Sequence, residues 1–510
     1  MKGKTLAETT LILAHDLGTT GNKVNLFSQN GKLVGSYFFQ YATTYPNPEW
    51  AEQDPAVWKR AVLEGTKALL DHTGVDAGRI AAISFSGHMQ GALPVDSSGK
   101  PLRSAIIWAD QRSKAEAARL EHVLGAEEIY KLTGNRISPA YTAAKIAWIK
   151  NNQPDIYSKT YKILQPKDFG ALVLSGECAT DFSDASLTQL LDVNRREWAT
   201  PIFGALDIDV KKMPQLHPAD AVIGKVTDAA AEASGLKAGT PVVIGGGDGA
   251  CATVGAGAVN YGDVYNYIGS SSWIAMCMDR TLLDPEQRTF NFLHLDKDLC
   301  VPAGTMQSAG GSFDWLEQLL RGDASEPVYD TLIQAAAHTA PGGNGALFLP
   351  YLLGERSPLW NPRARGCFIG LSRPDSRGEL TRTVLEGITF NLKHILDILT
   401  TYGTSTEVMR VIGGGTRSVV WRQIIADIYQ LPLQRIDLSS EATALGAAVA
   451  GGVGVGLFKD YSVVKNFIQI EDAEKPQPRN RARYEALYKL FRESYTALEG
   501  IFDGLAELPF

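Results

Sequence analysis

Two periods alternate along this chain of 510 residues. Short apolar runs bounded by glycine or proline, among them RIAAISFSG (79–87), YKILQP (161–166), PVVIGGG (241–247) and VMRVIGGG (408–415), read as strands, with helical spacing between them. This βαβ rhythm predicts an α/β protein whose helices cover mainly parallel sheets. Helix starts carry their own signals: in Asp54-Pro55-Ala56-Val57-Trp58 the aspartate caps and the proline takes the first helical position. The best membrane candidate, ATALGAAVAGGVGVGLF (442–458), falls short of the ~20 residues a span needs and is mostly alanine and glycine. It reads as a small-residue helix packed tightly in a core.

The first strand pattern ends in an uncommon way. Residues 11–27, LILAHDLGTTGNKVNLF, run apolar into His15 and Asp16, turn through Gly18, Thr19, Thr20 and Gly21, and resume alternation at Lys23. A weak echo follows at 264–278, VYNYIGSSSWIAMCM: an apolar strand, a glycine, a serine run, a second strand. Each copy lies near the start of one half of the chain. A length suited to two domains of about 250 residues agrees, so the expectation is two similar folds, 1–257 and 258–510, facing one another. With no low-complexity linker between them, they should meet tightly around a cleft.

Composition narrows the class. A net charge of -7 gives no electrostatic case for nucleic acid, and the cluster RNRAR (479–483) reads as a solvated helix start. Five scattered cysteines (Cys178, Cys251, Cys277, Cys300, Cys367) fit neither a disulfide framework nor a zinc site, which suggests a reducing cytoplasm. Glu8, Thr9 and Thr10 interrupt any apolar core of signal-peptide length.

Three glycine turns could carry chemistry. In the first hairpin, backbone N–H groups and threonine hydroxyls can converge on phosphate oxygens while Asp16 holds a hydrated Mg2+; the alternative is a hairpin with convenient turn residues. The Gly269-Ser270-Ser271 turn repeats the donors without the carboxylate, and two matched cradles are harder to dismiss than one. PVVIGGGDGACATVG satisfies a loose dinucleotide fingerprint through Gly245, Gly247 and Ala250, but the acidic residue this requires at the end of the next strand is missing. Asp248 could instead be a base in the cleft, or simply a helix cap. The third turn, Gly413-Gly414-Gly415, can admit a flat ligand such as adenine or merely pack helix against strand. His88, in SFSGHMQG beside Met89 and Gln90, could line a polar pocket or be structural. No P-loop or zinc motif occurs in the sequence.

Taken in order, these stretches resemble the FGGY carbohydrate kinase family, in its xylulokinase-like branch. The resemblance runs from LAHDLGTTGNKV through PEWAEQDPAVW (48–58), SFSGHMQGALPVD (84–96), AIIWADQR (105–112), SPAYTAAKIAWI (138–149), LQPKDFGALVLSGECATDFSDAS (164–186), IGGGDGA (244–250) and FLPYLLGERSPLWNPRARGCFIGL (348–371) to IGGGTRSVVWRQIIAD (412–427). It implies a pair of actin-like, ribonuclease-H-type domains with ATP and sugar in the cleft, and transfer of the γ-phosphate to a ketose or polyol hydroxyl. It implies Asp248 as base, Asp16 near Mg2+, and Gly18, Thr19, Thr20, Lys23, Gly269, Ser270 and Ser271 around the phosphates. Gly413, Gly414, Gly415 and Thr416 would face the adenosine, and His88, Met89, Gln90, Trp108, Asp110 and Gly249 the sugar. The resemblance is compatible with a homodimer, and no interface is legible.

Two departures bear on the substrate. Family members of this branch carry Gln-Met-His-Gly where this chain has His88-Met89-Gln90-Gly91, and an Asn where it has Gly249. Lost amides change which hydroxyls are paired. D-xylulose, giving D-xylulose 5-phosphate, is the expected acceptor, with D-ribulose, L-xylulose, a hexulose, gluconate and a four-carbon polyol such as erythritol as alternatives. Two readings lie outside this class: a non-catalytic actin-like ATP switch and a dinucleotide-dependent oxidoreductase.

Overall fold

The computed structural model describes residues 10–322, 326–437 and 440–508. Two seven-stranded sheets organise it. The first runs in the order Val222–Lys225, Pro241–Val243, Ile80–Gly87, Leu11–Leu17, Gly21–Ser28, Leu33–Gln40, with the short strand Gly246–Gly247 also paired to Ile80–Gly87. Its last three strands form an antiparallel meander. Ile80–Gly87 runs parallel to Leu11–Leu17, Pro241–Val243 parallel to Ile80–Gly87, and Val222–Lys225 closes the edge antiparallel.

The second sheet repeats this plan. Val264–Ile268, Ser272–Met276 and Cys300–Met306 make the meander, Met409–Ile412 and Leu433–Ile436 add in parallel, and Ile470–Glu474 closes antiparallel. One further strand, Phe290–Leu293, extends the meander. The echo between the hairpins therefore marks two sheets of the same strand order and sense.

The sheets are mixed, which corrects the expectation of mainly parallel ones. A three-residue turn such as 18–20 can only return the chain antiparallel. Parallel pairs appear where a helix intervenes, as Pro55–Thr73 does before Ile80–Gly87 and Arg377–Tyr402 before Met409–Ile412. Pro55–Thr73 starts as its sequence foretells: Asp54 accepts from the Ala56 N–H at 2.9 Å.

Two helices lie between the sheets and join the lobes. Asp248–Gly255 crosses Ala442–Gly454, and the latter also packs on strands Leu11–Leu17 and Ile80–Gly87. Glycine is obligatory at the crossing: a Cβ at Gly446 would stand 2.0 Å from the Cys251 carbonyl oxygen, and one at Gly255 1.7 Å from that of Ala442. The small-residue run is thus a close backbone contact in the core. Among the described residues no helix is long and apolar enough to cross a membrane.

Candidate active site

A cavity of ≈ 580 Å³ opens between the lobes. Asp16 is brought to it by strand register: Lys23 stands across the hairpin and Ser86 beside it on the parallel neighbour. Burial raises the Asp16 carboxyl above its ordinary range, and the Ser86 hydroxyl and Lys23 ammonium pull it back. Asp248 enters from the other direction as the first residue of helix Asp248–Gly255. Burial, followed by the charge of Asp16, pushes Asp248 up to about 7, opposed by the Gly249 N–H that donates to its Oδ1 at 2.7 Å. Two carboxylates that repel one another thus face one space.

The first turn is held from outside. The Tyr41 hydroxyl donates to the Gly18 carbonyl at 2.6 Å, Gln53 Nε2 to the Thr19 carbonyl at 2.7 Å, and Trp108 Nε1 to Thr19 Oγ1 at 2.9 Å. The indole thereby ties the turn to the 105–112 segment of the same lobe. Across the cavity Tyr267 stacks on Trp273 at 3.9 Å, and the Trp273 N–H reaches the Tyr265 hydroxyl, itself 3.1 Å from Thr253 on the Asp248 helix.

Of the residues singled out by sequence, Asp16, Gly18, Thr19, Lys23, His88, Met89, Gln90, Trp108, Asp248, Gly249, Ser271, Gly413 and Gly414 border the cavity. The others stand back from its wall. Asp110 is fully buried, its carboxylate enclosed by the Arg112 guanidinium at 2.7 Å and the Ala51 N–H at 2.6 Å. Thr20 is exposed and does not line the cavity. The carbonyls of Gly269 and Ser270 accept the first amides of helix Gly310–Leu320 and its cap. Thr416 Oγ1 donates back to the Gly413 carbonyl at 2.7 Å, and a Cβ at Gly415 would meet Ile268 at 2.5 Å. Of the three glycines only Gly414 faces open space, as a flat ligand would require. His88 is 2 % exposed, with Nε2 3.2 Å from Gln53 Oε1, and burial lowers it to about 3, so it is a neutral ring in the cavity wall.

The glycines before Asp248 serve packing. Gly245 has φ +67 and passes so near Phe85 that a Cβ would lie 1.8 Å from its carbonyl oxygen; Gly246 abuts Ser183 and Gly247 abuts Met89. No room is left there for a pyrophosphate, and the dinucleotide reading fails on it.

Sequence reasoning missed Tyr267, Trp273, Phe292, Thr305 and Arg356, which complete the wall from the second lobe. The aromatic pair flanks the Gly269–Ser271 turn symmetrically and could have been found from that. Arg356 lies in the stretch 348–371 that carries part of the resemblance, but in an aperiodic loop that gives it no role. It forms no ion pair among the described residues.

Two lobes of ribonuclease-H type that close on a cavity with paired carboxylates and glycine turns define a phosphotransferase of the actin-like class. The N-terminal domain of the FGGY family of carbohydrate kinases matches residues 11–255 and its C-terminal domain residues 264–455. The chain belongs to that family and is an ATP-dependent carbohydrate kinase. It is 34% identical to a xylulose kinase of Escherichia coli over 95% of this chain and 98% of that one. The solved gluconate kinase of Lactobacillus acidophilus superposes with a TM-score of 0.92 at 28% identity, covering 98% of this chain and 100% of its own. The ligand-bound xylulose kinase of the same organism gives 0.91 at 29%, covering 97% and 100%.

Proposed function

We propose that the enzyme transfers the γ-phosphate of ATP to a hydroxyl of D-xylulose, giving D-xylulose 5-phosphate. The observation that carries this reading is the pair Asp16 and Asp248 facing one interlobe cavity, with Asp248 poised near neutral pH. A base of that pKa can take the proton of a sugar hydroxyl as the phosphoryl group moves, a reaction that asks the protein mainly for alignment and charge stabilisation. Gly414 would admit the adenine, while Lys23, Thr19 and Ser271 would surround the phosphates and Met89, Gln90, Trp108 and Gly249 the sugar. Among the described residues no three His, Cys, Asp or Glu side chains are gathered as a metal site. The donor set suits a Mg2+ ion carried by the nucleotide and steadied by Asp16, where it would screen charge on the phosphates. Closure of the lobes would keep water, a competing acceptor, away.

One observation favours a second acceptor. Arg356 brings to the wall a guanidinium that lies over the Trp360 ring at 5.8 Å and forms no ion pair among the described residues, and such a fork suits a carboxylate. D-gluconate is the sugar acid to test, and the solved neighbour named as a gluconate kinase has the same fold. ATP-dependent turnover measured over ketopentoses, hexuloses, aldonates and polyols decides between them. The reading fails if no sugar accelerates ADP release, or if Asp248→Asn retains turnover.

A further inference from the structure

Gln90 borders the cavity with φ 68, in the left-handed region that non-glycine residues seldom occupy. Such a conformation persists only where its surroundings over-determine it, and it tends to gather at ligand clamps. Here the surroundings are three buried side chains. Lys145 Nζ donates to the Gln90 carbonyl at 2.8 Å and to the Ala140 carbonyl at 2.5 Å. Gln165 grips both backbone groups of the next residue, accepting from the Gly91 N–H at 2.6 Å and donating to its carbonyl at 2.9 Å. Thr142 Oγ1 donates to the same carbonyl at 3.0 Å.

Lys145 is the costly member of this clamp. It is 0% exposed, and no carboxylate is bonded to it among the described residues. Burial lowers it to about 7, with the charge of Asp110 opposing and that of Arg112 reinforcing the shift. A buried ammonium held only by carbonyls is expensive to keep where an apolar side chain would pack. It also lies in SPAYTAAKIAWI, one of the stretches that carry the family resemblance, and the phosphotransfer chemistry assigns it no task.

We propose that Lys145 is a positioning residue, which with Gln165 and Thr142 locks the Gln90 backbone so that its amide is presented to the sugar end of the cavity. The proposal rests on the kinase reading above. It gives this buried lysine a role in sugar recognition without contact with sugar or nucleotide.

The test is steady-state kinetics on the full chain, varying D-xylulose and ATP separately. Lys145→Met should raise the sugar KM by about tenfold, the scale of one lost hydrogen bond, and leave the KM for ATP within about twofold. Gln90→Gly, which removes both the amide and the need to hold the backbone, should raise the sugar KM by itself. In that background Lys145→Met should add nothing. A purely structural lysine would instead move both KM values or only stability, and independent, multiplying effects would overturn the proposal. If Lys145→Met does not fold, Gln165→Met releases the other side of the turn and must show the same sugar-selective rise; an unchanged sugar KM there refutes the clamp. A wild-type enzyme that turns over no sugar would overturn the kinase reading as well, a result distinct from any of these.

Discussion

The Lys23 ammonium donates to the Ser440 carbonyl at 2.8 Å, joining the first hairpin to the opposite lobe across the cavity. Lys23 is also the register partner of Asp16 and lowers its carboxyl. One cation therefore latches the cleft and steadies the carboxylate proposed to lie near the phosphates. Lys23→Met should raise the KM for ATP by about tenfold. Because the bond lies at the surface, thermal stability should change by less than about 1 kcal/mol. Calorimetry together with ATP-dependent rates checks both.

Asp248 fixes the pH behaviour. Its carboxyl, pushed up to about 7 by burial and by Asp16, must be ionised to take a proton, so kcat/KM for the sugar should fall about tenfold per pH unit below 7. Asp248→Asn should lower kcat by about 10²–10⁴-fold. The same shift acts on stability with a definite sign. Between the unfolded value of 3.8 and about 7 the folded state binds the extra proton, so the group favours folding in acid and opposes it increasingly as pH rises. Asp248→Asn should therefore melt above the wild type at pH 8, with the gap closing toward pH 4. An unchanged gap would show that the charge is relieved elsewhere.

What could be read in the chain was local. The hairpins at 11–28 and 264–276, the Asp54 cap and the small-residue helix at 442–454 are each written in a few adjacent residues, and each is found in place. What could not be read depends on partners far along the chain. Asp110 looks like a pocket residue from AIIWADQR, yet Arg112 and Ala51 enclose it. The glycines of 245–247 look like a ligand loop, yet Phe85, Ser183 and Met89 fill their open sides. Arg356 carries no periodicity, and only the folding of the second lobe places it at the wall.

The crossing of the two interlobe helices should be intolerant of even one methyl group. Gly446→Ala would force a Cβ to within 2.0 Å of the Cys251 carbonyl oxygen, and overpacking of this kind costs about 1–3 kcal/mol or more. Since Cys251 follows Asp248 by three residues on the same helix, activity should fall together with melting temperature. Gly204→Ala is the control. It lies in helix Thr200–Leu206 with nothing within 4 Å of its added Cβ, and should stabilise by about 0.5–1 kcal/mol. Equal effects at the two sites would refute the close-contact account.

Arg356 separates the two acceptors. Its charge is felt by the buried Tyr141, and it lines the same cavity as Met89, Gln90 and Gly249, the residues proposed to meet the sugar. An aldonate would meet it with a carboxylate, a ketose with a neutral oxygen, and a charge-assisted bond is about twice as strong as a neutral one. Arg356→Gln should therefore lower kcat/KM for D-gluconate by about 100-fold and for D-xylulose by about tenfold, leaving the KM for ATP unchanged. The ratio of the two losses is the informative quantity, because misfolding or loosened closure would depress both substrates alike. Equal losses would place the guanidinium outside the sugar subsite.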